Sequence, residues 1–237
     1  MSDLKAVFFD VAGTLWDKAA CDRQVMDIVL PMFMARLPED DPEQIVRRFN
    51  AALFELPCRD HLRERRSSLR RRRFEAMVDS YGLPTRGLAR EMNRTYDTTR
   101  RLTMRQFLRR GALRLLSELG RLGLRRGVIM NGAPAVQRHL LETLGLKPHV
   151  DHAVLAEVEG FTKPDVRLFR RAVELVGIEP TQMLYVGDSP MTDILGAARA
   201  GIPTVWFRTG HRRLPADFPA PDFTITDLSE ILPIVAA

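Results

Sequence analysis

Two aspartates stand where a short apolar run gives way to a glycine-bearing loop. Asp10 follows Leu4-Lys-Ala-Val-Phe-Phe9 and precedes Gly13-Thr14, and Asp188 follows Met183-Leu-Tyr-Val186 and Gly187. A third run, Arg126-Gly-Val-Ile-Met130, ends at Asn131-Gly132. Carboxylates and amides so placed are groups that attack electrophiles, hold hard cations or anchor polar ligands. Each taken alone also has a structural use, since an acid closes a strand, caps a helix or forms a turn. Their common position lifts them above that use. In open parallel sheets ligands bind beyond the carboxyl ends of the strands, so Asp10, Asn131 and Asp188 are expected to converge on one pocket.

The elements that must position them read as alternating strands and helices. The three apolar runs, with Pro203-Thr-Val-Trp-Phe207, are buried strands. Helical patterns lie between them: 110–120, 135–144 closed by Gly145, 165–176 closed by Gly177, and 192–200 closed by Gly201. The alternation predicts an α/β fold with a Rossmann-like, doubly wound parallel sheet covered on both faces. Residues 17–104 have helical periodicity, many arginines and prolines as punctuation, which predicts a helical insertion after the first strand. The expected organisation is a core of residues 1–16 and 105–237 and a helical cap of residues 17–104.

The motifs, taken in order, resemble a known family. Phe9-Asp10-Val11-Ala12-Gly13-Thr14-Leu15 resembles the first signature of the haloacid-dehalogenase-like hydrolase superfamily, usually written Asp-x-Asp-Gly-Thr. Lys163-Pro164-Asp165 resembles its third signature. Val186-Gly187-Asp188-Ser189-Pro190-Met191-Thr192-Asp193, followed by Gly196-Ala197 and Ala200-Gly201, resembles its fourth. The resemblance covers nearly all of the core, and the cap only in position and helical character. It implies that Asp10 is a nucleophile forming an aspartyl intermediate that water hydrolyses. It further implies Mg²⁺ as cofactor, held by Asp10, the Ala12 backbone carbonyl and Asp188. Lys163 would be the catalytic cation, Thr14, Asn131 and Gly132 would bind substrate, and Asp193 would support the lysine or the metal.

Two positions depart from the pattern. Most phosphatase members carry an Asp where this chain has Ala12, to protonate the leaving alkoxide and deprotonate water. Losing positioned acid–base catalysis lowers a rate by about 10²–10⁴, so either the leaving group needs little help, as that of an acyl phosphate does, or the substrate or water supplies the proton. Met130 replaces a Ser or Thr that hydrogen-bonds the transferred group, and a thioether donates nothing. Phosphonoacetaldehyde hydrolases also carry Ala at the first position but use a cap lysine, and the one lysine between residues 17 and 104 is Lys18. The 2-haloacid dehalogenases expel halide without a proton, and Asn131-Gly132-Ala133-Pro134 is similar to their segment. They need no Mg²⁺, however, and this chain keeps the metal-type acids. The leading expectation is a Mg²⁺-dependent phosphatase of a small phosphorylated metabolite. The alternatives are a carbon–halogen hydrolase and a phosphoanion-binding module with impaired turnover.

Composition sets the remaining bounds. At 237 residues and 45% hydrophobic content the chain can bury a full core. The N-terminus lacks the apolar length of a signal segment, and no run approaches the roughly 18 apolar residues of a membrane helix. Cys21 and Cys58 have no ligand-spaced partners, so a cytoplasmic protein is expected. The net charge is +6, and eight arginines against Asp60 and Glu64 between Arg59 and Arg73 account for all of it. These arginines wrap around a helix, so most read as a solvated face, with Arg59 and Arg63 as weak candidates for an anionic substrate. Few aromatics are interleaved with them, which argues against nucleic acid. The expected partner is a small anionic substrate, with the chain a monomer or homodimer.

Overall fold

The structure, a computed structural model, describes residues 3–38, 41–55, 66–210, 213–214 and 218–236. The chain divides into two compact units, Met1–Lys18 with Phe107–Ala237, and Ala19–Gln106. No helix among the described residues is long and apolar enough to cross a membrane.

The first unit is built on six parallel strands: β1 (Ala6–Phe9), β2 (Arg125–Met130), β3 (His152–Leu155), β4 (Met183–Gly187), β5 (Thr204–Phe207) and β6 (Phe223–Ile225), in the order β3-β2-β1-β4-β5-β6. The chain order reverses on either side of β1, so the Rossmann-like architecture expected from the alternating runs is the one observed. Strands β1 and β4, at the middle of the sheet, are buried along their whole length. Ala6, Val7, Phe8 and Phe9 are all fully buried, and burying each large side chain stabilises the fold by about 1.5–3 kcal/mol. Gly127 in β2 is required by packing, since a Cβ there would lie 2.2 Å from the Phe8 ring. Strands β3 and β6 extend the sheet beyond the four runs seen in the sequence. They sit at its two edges and are only four and three residues long.

The helices of this unit include α5 (Ala112–Arg121), α6 (Pro134–Thr143), α7 (Ala156–Glu159), α8 (Val166–Val176), α9 (Leu195–Arg199) and α10 (Ile231–Ala236). Helix α8 begins at Asp165, whose carboxylate accepts from Arg167 N at 3.0 Å, and ends at Gly177 with φ 72°. Phe169 of α8 packs on Gly196 of α9, where a Cβ would meet its ring at 2.2 Å. The stretch expected as one helix over 192–200 is instead a wide π-turn, Pro190–Ile194, running into α9. Both Asp193 N and Ile194 N reach back to Ser189 O, at 2.9 and 3.2 Å.

The second unit has only helical regular structure among its described residues: most of α1 (Lys18–Val29), then α2 (Pro42–Glu55), α3 (Arg66–Asp79) and α4 (Thr85–Thr103). Its core holds Val25, Phe33, Ile45, Phe49, Phe74, Met77, Met92 and Tyr96, with Phe49 and Phe74 ring centroids 4.6 Å apart. Arg70 lies over the Tyr96 ring and hydrogen-bonds Asn93 and Asp97, while Arg73 covers the Phe49 ring and donates to Asn50 Oδ1. These two arginines are thus engaged within their own unit. Arg59 and Arg63 lie outside the described residues.

Candidate active site

Strand register brings the acids together. Phe9 of β1 pairs with Val128 of β2 and Val186 of β4, so Asp10 leaves the sheet beside Gly187 and Asp188. Its N–H still donates to Val186 O at 2.9 Å. One ligand oxygen from each of Asp10, Asp188 and Asp193 lies within 4.8 Å of the others. Gly13 allows this approach. It has φ +120°, and a Cβ there would lie 2.5 Å from Asp188 Cγ. Gly187 does the same for Asp193, since a Cβ would lie 2.3 Å from that residue's own Cβ.

Lys163 sits at the centre. Its ammonium donates to Asp10 Oδ1 at 2.6 Å, Asp193 Oδ1 at 2.7 Å and the Tyr185 hydroxyl oxygen at 3.1 Å. An ammonium has three N–H bonds, and each has an acceptor here. Tyr185 donates to Asp193 Oδ1 at 3.1 Å, and Asp193 Oδ2 accepts from Ser189 N at 3.0 Å. Burial pushes the Asp10 carboxyl up, to about 7, with Lys163 opposing and Asp193 and Asp188 adding to the rise. For Lys163, burial disfavours the charged form, but Asp10 and Asp193 outweigh it and its pKa is raised. Burial and then Asp193 push the Tyr185 phenol well above its ordinary value.

Asn131 lies at the end of β2, and its side chain holds the Lys163 backbone. Lys163 N donates to Oδ1 at 2.9 Å and Nδ2 donates to Lys163 O at 3.3 Å. Gln137 of α6 donates to Asn131 O at 2.7 Å. Gly132, at φ +116°, takes a conformation suited to glycine, and a Cβ there would press on the Gln137 amide at 2.6 Å. In this arrangement Asn131 and Gly132 shape the loop that aims the lysine. Met130 is buried and pairs with Leu155 across the sheet. Thr14 is fully buried, and its Oγ1 has no hydrogen-bond partner in the structure. Ala12, half-exposed, bridges to Trp16.

Several contributors were not evident in the sequence. Tyr185 reads as one more apolar residue in β4; its signal is that a buried tyrosine hydroxyl finds a partner. Trp206 Nε1 donates to Asp188 O at 3.1 Å, tying β5 to the site. Arg109 donates to Gly13 O at 3.1 Å, pairs with Asp17 at 3.2 Å and lies over the Phe207 ring, so it clamps the loop after β1. Gln137 could have been suspected only from its position one turn into the helix after Asn131.

Three carboxylates stand here beside one lysine. The oxygen donors of Asp10, Asp188 and Asp193 form a set whose chemistry fits a hard divalent cation.

A family model described as haloacid dehalogenase-like hydrolase matches residues 4–201. The chain belongs to that family. Among its relatives, the phosphoserine phosphatase of Thermus thermophilus is 37% identical over 158 residues, 66% of this chain and 61% of that one. Two further relatives, a pyrimidine 5'-nucleotidase of Escherichia coli and a glyceraldehyde 3-phosphate phosphatase of Pyrococcus furiosus, are matched over about half their length; the chain thus spans less than two thirds of the length of these relatives. The magnesium-bound crystal structure of the HAD-hydrolase YfnB from Bacillus subtilis superposes with a TM-score of 0.79 at 21% identity, covering 99% of both chains. The 2-haloacid dehalogenase of Pseudomonas syringae superposes with a TM-score of 0.67 at 27% identity, covering 98% of both. This chain is a haloacid dehalogenase-like hydrolase, and relatives named as phosphatases stand beside neighbours named as dehalogenases.

Proposed function

We propose that this hydrolase is a Mg²⁺-dependent phosphatase of a small phosphorylated metabolite, with Asp10 as its nucleophile. The observation that carries the reading is the Asp10–Lys163 pair, 2.6 Å apart, within the Asp10, Asp188 and Asp193 cluster. The ionised Asp10 carboxylate attacks phosphorus, the bond to the leaving oxygen breaks, and water then hydrolyses the aspartyl phosphate. Lys163 fixes the rotamer of Asp10 and offsets charge at the reacting centre, its N–H bonds being held by protein acceptors. The partnerless Thr14 hydroxyl is available to donate to a phosphoryl oxygen. Mg²⁺ held by Asp10, Asp188 and the Ala12 carbonyl would neutralise phosphoryl oxygens during transfer. In this reading residues 17–104 are a cap that selects the substrate.

Hydrolysis of a panel of phosphorylated metabolites, with and without Mg²⁺ and beside Asp10→Asn, tests the proposal. Mg²⁺-dependent release of phosphate that Asp10→Asn abolishes is expected. Activity surviving that substitution would reject the role of Asp10.

A second reading, carbon–halogen hydrolysis, is favoured by Ala12, by Asn131-Gly132-Ala133-Pro134 and by the likeness to the Pseudomonas syringae dehalogenase. It requires metal-independent halide release from a 2-haloacid. Absence of release across several such acids excludes it.

A further inference from the structure

Attack by Asp10 on phosphorus raises two proton problems. The leaving oxygen departs with an electron pair, and the attacking water must lose a proton. The described groups gathered around Asp10 are committed elsewhere. Lys163 has an acceptor for each N–H bond, Tyr185 gives its one proton to Asp193, and Asp193 accepts from Lys163, Tyr185 and Ser189 N. Asp188 faces the carboxylate cluster over Gly13. In the loop directly after Asp10, Ala12 and Gly13 carry no side-chain proton, and neither does Met130 at the end of β2. Thr14 carries an alcohol, a hydrogen-bond donor and not an acid. Among the described residues of this unit, none of the groups assembled with Asp10 is placed to protonate a leaving group.

We infer that the substrate is a phosphoryl compound whose leaving group departs as a stable anion, an acyl phosphate being the fitting class, in preference to an alkyl phosphate ester. The inference rests on the phosphatase reading and narrows it. In the first step a bond forms from the Asp10 oxygen to phosphorus, the bond from phosphorus to the leaving oxygen breaks, and its electron pair leaves with the carboxylate. In the second, water adds to phosphorus and the Asp10–phosphorus bond breaks back to the carboxylate. One water proton stays on the inorganic phosphate and the other passes to solvent. With no base at residue 12 this second step is the slower one, so the aspartyl phosphate accumulates during turnover.

The test is kcat/KM for acetyl phosphate, para-nitrophenyl phosphate, phenyl phosphate and glycerol 3-phosphate at saturating Mg²⁺, for the wild-type chain and Ala12→Asp. Intact-mass measurement after acid quench follows the phosphorylated protein. A missing acid–base group is worth about 10²–10⁴ in rate. The wild type should therefore act on acetyl phosphate and at least about 100-fold more slowly on glycerol 3-phosphate. Ala12→Asp should raise kcat/KM for the alkyl ester at least about tenfold more than it raises that for acetyl phosphate, flattening the series whatever it does to the absolute rates. Phosphorylated wild-type protein should be present in the steady state. Equal rates across the wild-type series would overturn the inference and leave the phosphatase reading standing. A steep series that Ala12→Asp does not flatten would also overturn it, as would a steady state without phosphorylated protein. If none of the four compounds gives turnover or phosphorylated protein, the phosphatase reading itself is rejected, and the inference with it.

Discussion

Replacing Tyr185 by phenylalanine removes a single oxygen from the middle of the buried site and leaves the ring packed edge-on against Phe169, centroids 5.1 Å apart. Two hydrogen bonds go with it, one accepted from Lys163 and one donated to Asp193, both 3.1 Å. Bonds to charged groups are worth about 1.5–3 kcal/mol. Lys163 and Asp193 remain bonded to each other at 2.7 Å, so the net loss should be that of one such bond, about 2 kcal/mol, not of two. For a chain of this size that lowers the unfolding midpoint by about 4–8 °C. Both tryptophans, Trp16 and Trp206, lie in the sheet-containing unit, so thermal unfolding followed by their fluorescence reports that unit directly. The lysine, with one acceptor fewer, is aimed less firmly at Asp10. We expect kcat to fall by about tenfold, or 1.4 kcal/mol of barrier, with KM nearly unchanged. A midpoint shift under about 1 °C together with unchanged kcat would refute the idea that this hydroxyl holds the lysine.

Three further outcomes are expected. Gly13→Ala places a methyl against Asp188 at φ +120° and should weaken Mg²⁺ binding by calorimetry by at least about tenfold, with strain of about 1–3 kcal/mol; Gly123→Ala, with open space around it, should destabilise without changing that affinity. Asn131→Ala removes both side-chain bonds to the Lys163 backbone and should lower kcat and stability together, the latter by about 1–3 kcal/mol in urea unfolding. The Asp10 carboxyl is raised to about 7 from 3.8, so the unfolded chain releases this proton first and metal-free stability falls as pH rises from about 4 to about 7; unfolding midpoints across that window should show the decline, Asp10→Asn should flatten it, and added Mg²⁺ should offset it above pH 7.

The sequence carried the frame of the molecule because long apolar runs leave little choice. Strands β1, β4 and β5 are each a continuous buried run and β2 is buried over its last four residues, and glycine or a polar residue closes or follows each of them. Strand β3 was hidden because His152-Ala-Val-Leu155 flows straight into Ala156-Glu-Val-Glu159, with nothing between to mark the change of period. Strand β6 is three residues of mixed exposure, too short for any periodicity. In the site, Asp10, Lys163, Asp188 and Asp193 were legible from motif order, and the structure groups them. What side-chain type could not reveal is direction. Asn131 turns toward the Lys163 backbone, Tyr185 turns its hydroxyl between a cation and an anion, and Arg109 reaches the loop after β1. Such partners are set by tertiary packing, and no local pattern encodes them. The arginine run shows the same limit, since Arg70 and Arg73 find aromatic faces and polar partners in their own unit that a charge count does not anticipate.

Peptide mapping after acid quench shows whether the Asp10 carboxylate takes up the phosphoryl group. The chain is mixed with acetyl phosphate and Mg²⁺, quenched, digested and searched for the peptide carrying a phosphoryl group. One modified site, Asp10, is expected, and none in Asp10→Asn. Phosphate release with the label on another residue, or release that persists in Asp10→Asn, would contradict it.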